Sequence, residues 1–250
     1  MNLADTHHHL IYGLDDGAQT FQRTQAMLRM AHENGVSVVA ATPHAFPGVE
    51  EFDTVRFKKH LKMAQKWSDE QGLGISICTG TEVFYNSTAE KELGEGKILT
   101  LNGTSNVLVE FNTDESFDRI SRGVRKLGNA GYSVVLAHAE RYDVLRKIDR
   151  IKELKEYLGT TIQINTNTVL SKTGFFQKRW LKKVLEKGLC DVIASDAHNT
   201  SFRSCKMKEC YKLLKQEWGK QMADDLCVNN PLRLLGLDHE ESQLTTVYER

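Results

Sequence analysis

Short apolar runs alternate with longer amphipathic stretches along the chain. Residues 2–7 predict a first strand. Residues 20–34 carry Met27, Leu28 and Ala31 at helical spacing, and Gly35 closes that helix as a C-cap. The β-branched run 36–42 predicts a buried strand, 53–71 a charged helix closed by Gly72, and 75–79 the next strand. The alternation then continues with a strand over 106–111, a helix over 116–127, a strand over 132–138 and a charged helix over 142–158. It ends with a strand over 160–164, a helix over 175–187, a strand over 189–195 and a helix over 205–218.

A βα unit repeated about seven times predicts a parallel sheet with helices outside it. An open doubly wound sheet and a closed barrel both satisfy that pattern. No Pro/Ser-rich or low-complexity stretch divides the chain, so residues 1–250 read as a single domain, with 239–250 a loosely held polar tail. Pro43, Pro47 and Pro231 all read as turn positions. With 33 basic and 33 acidic residues the formal charge is zero, which argues against a nucleic-acid partner. The N-terminus lacks the pattern of a secretory signal, and no window approaches the roughly 20 apolar residues of a membrane span. The five cysteines are scattered and include no CxxC pair, as expected of reduced, buried thiols in a cytoplasmic protein.

The chemistry lies in what ends each strand. His7 and His9 end the first, and alternation puts both on one side with His8 opposite. Thr42-Pro43-His44 follows the second strand and Thr81-Glu82 the third. Glu110 ends the fourth, His138-Ala139-Glu140-Arg141 the fifth, and Asp196-Ala197-His198 the seventh. In a parallel barrel these ends converge on one face. Imidazoles and carboxylates without thiolates suit Zn²⁺, Mn²⁺ or Fe²⁺ in a catalytic cluster. Taken singly each residue has a plainer explanation: a solvated histidine run, a structural salt bridge at Glu110, a satisfied core histidine at His138, a helix cap at Asp196, a surface carboxylate at Glu82. The coincidence across strand ends weakens all of these together. No GxSxG elbow, P-loop or GxGxxG offers another chemistry. His32, His60 and His239 read as non-functional.

On these residues the chain resembles the polymerase and histidinol phosphatase (PHP) superfamily. Within it, the chain is similar to the metal-dependent protein-tyrosine phosphatases of bacterial capsule and exopolysaccharide operons. The matching stretches are Asp5-Thr6-His7-His8-His9 with Asp15-Asp16-Gly17, Thr42-Pro43-His44, Gly80-Thr81-Glu82, Val109-Glu110-Phe111, His138-Ala139-Glu140-Arg141-Tyr142, Gln163-Ile164-Asn165, Ser195-Asp196-Ala197-His198-Asn199 and Asn229-Asn230-Pro231. The chain departs from the family at Ala45, at Ala139, over Leu10-Ile11-Tyr12-Gly13 and at Ser204-Cys205, and none of these removes a proposed ligand.

The resemblance implies an α/β fold, a distorted TIM-like (β/α)7 barrel of PHP type. It implies a divalent cluster of two or three ions, with manganese expected and Fe²⁺ or Zn²⁺ as alternatives. One ion would take His7, His9 and Asp196, with Glu82 bridging to a second held by Glu110 and His138. A third would take Asp16, His44 and His198, with Asp15 open in place of Asp16. Arg141 and Arg203 would clamp the phosphate, and Asp196, His198 or a water would protonate the leaving group. The implied activity is hydrolysis of phosphotyrosine on a protein, a bacterial tyrosine kinase of polysaccharide assembly, by a metal-activated water without a phosphocysteine. A small-molecule phosphatase of histidinol-phosphate type, a non-catalytic metal-stabilised binding domain and a metal-dependent nuclease are the rival readings.

Overall fold

The computed structural model describes residues 2–171 and 174–238. The strands are β1 (Leu3–His8), β2 (Val36–Ala41), β3 (His44–Ala45), β4 (Ser76–Thr79), β5 (Glu82–Phe84), β6 (Asn106–Glu110), β7 (Ser133–Leu136), β8 (Thr161–Asn165) and β9 (Val192–Ala194). Every pairing between them is parallel. β2 and β3 are two halves of one strand position, broken at Thr42-Pro43, and β4 and β5 are halves of another, broken at Gly80-Thr81. Proline has no N–H to give a ladder, so a break at Pro43 is expected. Merging the halves leaves seven strand positions, matching the sequence pattern.

Hydrogen bonding runs β1-β2-β4 in one sheet and β3-β5-β6-β7-β8-β9 in the other. The ring closes where β9 returns to β1. There the Asp196 N–H donates to His7 O and the His9 N–H to Ala197 O, both at 2.9 Å. On the opposite side β5 pairs with β6 but β4 does not. The barrel is therefore complete at its C-terminal rim and split lower down, which is its distortion. A 3₁₀ turn, Leu101–Gly103, follows the gap in sequence, and Leu101 packs with Ala40, Cys78, Leu108, Val135, Ala137 and Leu235 in a small apolar plug. Their neighbours Val39, Ala41, Ile77, Val107, Val109, Val134 and Leu136 belong to the larger core shared with the helices. Strand alternation explains the division, with one parity facing inward and the other the helices. Followed upward, the inward parity runs from Ala40 to His44, from Cys78 to Glu82 and from Leu108 to Glu110. The side chains that fill the barrel below thus give way to chemical groups above.

The helices are α1 (Phe21–Glu33), α2 (Thr54–Glu70), α3 (Ala89–Gly94), α4 (Phe117–Asn129), α5 (Ile148–Leu158), α6 (Thr166–Leu170), α7 (Phe175–Glu186), α8 (Met207–Trp218), α9 (Lys220–Asp224) and α10 (Asn230–Leu234). α1, α2 and α4 start on side-chain caps from Thr20, Asp53 and Ser116. α1 and α2 are each followed by a glycine with positive φ, Gly35 (74°) and Gly72 (65°), as the sequence pattern anticipates.

Three expectations need correcting. The helix expected over 142–158 begins only at Ile148, after 3₁₀ turns at Ala139–Arg141 and Asp143–Arg146. Tyr142 is buried there and its hydroxyl accepts the Phe111 N–H at 3.0 Å, which ties the segment to the end of β6. Pro231 is not in a turn but at the start of α10, which directly follows a π-helical turn over Asp225–Asn229. The short helices α3, α6, α9 and α10 were not anticipated. The expected tail, 239–250, and His239 lie outside the described residues. Among those residues, no helix is long and apolar enough to cross a membrane.

Candidate metal centre

The strand ends bring all nine proposed ligands to one rim. His7, His9, Glu82 and Asp196 offer donor atoms within 4.8 Å of one another, as do His9, Asp16, His44 and His198, and also His44, Glu82 and Glu110. His138 joins through Nε2, which lies 2.8 Å from Glu82 Oε1 and 3.4 Å from Glu110 Oε2. Glu82 is the hub: its Oε2 is 3.1 Å from His7 Nε2, 3.2 Å from His9 Nε2 and 3.1 Å from His44 Nδ1. Except for Asp16, His44 and Glu110, these side chains are almost fully buried.

Backbone conformation aims two of them. His138 and Asp196 are non-glycine residues in the left-handed region, at φ 35° and 53°. Such a conformation is strained for an L-residue and persists where the surroundings enforce it. At His138 the turn directly follows β7, where simple alternation would have put Ala139 next in line for the interior.

Hydrogen bonds set the tautomers. His7 Nδ1–H donates to Gln163 Oε1 at 2.9 Å, His9 Nδ1–H to Asp15 Oδ2 at 2.6 Å, and His198 Nδ1–H to the Asp196 carbonyl at 3.0 Å. Each bond leaves Nε2 facing the cluster, the orientation a metal-binding imidazole needs. His7 Nε2 and His9 Nε2 stand 3.1 Å apart. Glu82 Oε2, His44 Nδ1 and His198 Nε2 are buried without a hydrogen bond of acceptable geometry. Polar atoms that converge without bonding one another leave room for a cation between them. This donor set, imidazole and carboxylate only, fits divalent metal ions.

The charges point the same way. Burial pulls the His9 imidazole down, but Asp15 and Glu82 outweigh it and hold it up at about 9. Burial likewise opposes His44 and His138, yet Glu110 and Glu82 raise them to about 11 and about 9. Against burial, His7, His138 and His44 hold Glu82 well below the usual carboxylate range, and His7, His9 and Arg141 do the same for Asp196.

Asp15 and Asp16 take different positions. Asp15 is turned back into the scaffold, accepting from His9, from the Gly17 N–H at 2.9 Å and from the His44 N–H at 3.1 Å. Asp16 is exposed, with Oδ1 3.2 Å from His198 Nε2 and 3.5 Å from His44 Nε2. Gly17 makes this loop possible, since a Cβ there would stand 2.2 Å from His9 O. Arg141 and Arg203 border the cluster. Arg141 hydrogen-bonds Asp196 Oδ2, and Arg203 Nη2 donates to Asp196 Oδ1 at 3.0 Å.

Reasoning from sequence gave no role to Gln163 and Asn165. Both are buried on β8, where Gln163 Nε2 donates to Asn165 Oδ1 at 2.6 Å and Asn165 Nδ2 to Asp196 Oδ2 at 2.8 Å. The available signal was two amides at alternate positions inside an apolar strand, which must find buried partners. Replacing Gln163 by Leu should free the His7 ring and weaken metal affinity about 10- to 100-fold with little change in fold, measurable by metal titration of the apoprotein. His32 and His60 do sit apart from the site: His32 Nδ1 bonds Leu73 O at 2.7 Å, and His60 stacks on Tyr12 at 3.8 Å.

Residues 3–236 match the family model described as capsular polysaccharide synthesis, CpsB/CapC. The chain is 30% identical over 240 residues to the tyrosine-protein phosphatase CpsB of Streptococcus pneumoniae, covering 93% of this chain and 98% of that one. It is 27% identical over 236 residues to the tyrosine-protein phosphatase YwqE of Bacillus subtilis (strain 168), covering 93% and 91%. Its fold superposes with a TM-score of 0.84, at 27% identity and 94% coverage of both chains, on a crystal structure from work on YwqE and CpsB described as unique metal-dependent tyrosine phosphatases. The chain belongs to the CpsB/CapC family.

Proposed function

We propose that the protein is a metal-dependent tyrosine-protein phosphatase of PHP type. The observation that carries this is the convergence of nine imidazole and carboxylate side chains, with tautomers set from outside, beside two arginines at an open rim. His7, His9 and Asp196 would hold one ion, Glu110 and His138 a second, with Glu82 shared between them, and Asp16, His44 and His198 a third. Manganese is the expected metal. When bound, such ions supply an activated water and draw charge from the phosphoryl oxygens.

The chain's own residues do the rest. Asp15 and Gln163 hold His9 and His7 in the tautomers that ligation requires. Arg141 and Arg203 are 39% and 30% exposed at the side chain, so both can leave Asp196 for phosphate oxygens, which their planar forks match. A cleft of about 410 Å³ adjoins the cluster at Asp16 and His44 and is lined also by Phe46 and Phe52. Those rings offer apolar faces to the phenyl group of phosphotyrosine. No cysteine is available as a nucleophile, because all five are buried, and burial pushes the Cys78 thiol up to about 12. The proposed substrate is a phosphotyrosine-bearing tyrosine kinase of polysaccharide assembly, a reading supported by the family's description.

Side-by-side turnover of a phosphotyrosine peptide and histidinol phosphate tests this. The peptide should be strongly preferred in Mn²⁺, and alkylating accessible thiols should leave the rate unchanged. Preference for histidinol phosphate would favour the small-molecule reading, and no turnover of either would favour a binding domain.

A further inference from the structure

His8 stands between two proposed ligands in sequence but on the other side of β1. There it meets Asp5 and Cys205. The pairing of β1 with β2 slips between Asp5 and His8, which breaks strict alternation. Asp5, His8 and Cys205 each bring one donor atom within 4.8 Å of the other two. Their relative exposures are 0%, 1% and 3%.

Asp5 and His8 are short of partners. Asp5 Oδ1 accepts the Ser195 N–H at 2.9 Å, but Oδ2 has no hydrogen bond. Neither ring nitrogen of His8 has one. A buried carboxylate oxygen and a buried imidazole left unpaired are both costly, so their coincidence calls for a missing partner. One that suits all three is a divalent cation. Carboxylate and thiolate together balance its charge, and a neutral imidazole is the third donor of a mixed O/N/S set. Thiolate beside imidazole selects Zn²⁺ over the harder Mg²⁺, Ca²⁺ or Mn²⁺.

We propose that Asp5, His8 and Cys205 form a second metal site of three protein donors that takes Zn²⁺ through one carboxylate oxygen, one imidazole nitrogen and one thiolate sulfur. The site joins β1, which carries His7, to the segment leading from Arg203 into α8. It lies beneath two stretches that deliver ligands and an arginine to the rim but shares no donor with the rim cluster.

The two metal centres differ in donor chemistry, and the test uses that difference. The cluster at the rim has only nitrogen and oxygen donors, so a sulfur-to-cobalt charge-transfer band in the Co²⁺-loaded protein can come only from a thiolate site. The parent protein should show this near-ultraviolet band. Cys205→Ser should lose it and hold one zinc fewer per chain, while Cys227→Ser, another buried thiol, should keep it. His8→Gln leaves every thiol in place and should weaken the Co²⁺ affinity that the band reports by about 10-fold or more. Cys205→Ser and His8→Gln should retain phosphatase turnover in Mn²⁺. Absence of the band from the fully loaded parent overturns the proposal even if Cys205→Ser fails to fold. So does a band of undiminished intensity in Cys205→Ser, or unchanged Co²⁺ affinity in His8→Gln.

Discussion

Glu82→Gln is expected to lower phosphatase turnover by roughly 10³-fold, the several kcal/mol that metal-assisted charge stabilisation supplies. Among the described residues, no other carboxylate lies within 4 Å of as many histidine ligands. Its carboxylate lies against His7, His9, His44 and His138, and it belongs to two of the donor groups at the rim. Glutamine keeps the shape and removes the charge, so the loss should appear as weakened metal binding as well as reduced kcat. The fold should survive. Without metal, Glu82 and Glu110 raise His44 and His138; with Glu82 neutral, those imidazoles lose part of that support and can shed their protons in place of leaving a buried charge unpaired. Thermal unfolding of the metal-free variant close to that of the metal-free parent, alongside lost activity, is the expected pair of results. Near-parental turnover at limiting metal would remove Glu82 from its central position.

Arg141→Ala should cost roughly 10²- to 10³-fold in kcat, the range for removing one preorganised donor to transition-state charge. Its guanidinium hydrogen-bonds Asp196 and stays 39% exposed toward the rim, so it can reach an incoming phosphate while remaining anchored by the turn that tethers Tyr142. Arg141→Lys separates two roles. If charge alone matters, lysine restores most of the rate; if the planar fork matters, it restores little, and the latter is expected. Equal metal content in parent and both variants would place the defect in phosphoryl transfer. Parallel loss of metal would instead mean that Arg141 acts by holding Asp196.

Much of this site was legible because its residues end strands. His7, His9, His44, Glu82, Glu110, His138, Asp196 and His198 each follow an apolar run, and a parallel barrel gathers such positions on one rim. The number of strand positions could be read for the same reason. Closure could not, since it depends on the contacts of His7 and His9 with Asp196 and Ala197, nearly 190 residues away. Nor could the split strands, because Thr42-Pro43 reads equally as a strand end. Asp15 and Asp16 were indistinguishable as neighbours in a loop; only the close approach at Gly17 and the turn back toward His9 separate them. Gln163 and Asn165 look like ordinary strand amides until their partners are known. His8, set aside by alternation, is the residue whose surroundings the linear pattern least suggested.

The most direct test is a metal titration of the chelator-stripped protein against a phosphotyrosine peptide. Turnover should be absent without metal and should return on adding Mn²⁺, reaching its plateau when the rim cluster is filled. Full turnover by protein shown to be free of metal would contradict a metal-dependent phosphatase built on these nine side chains.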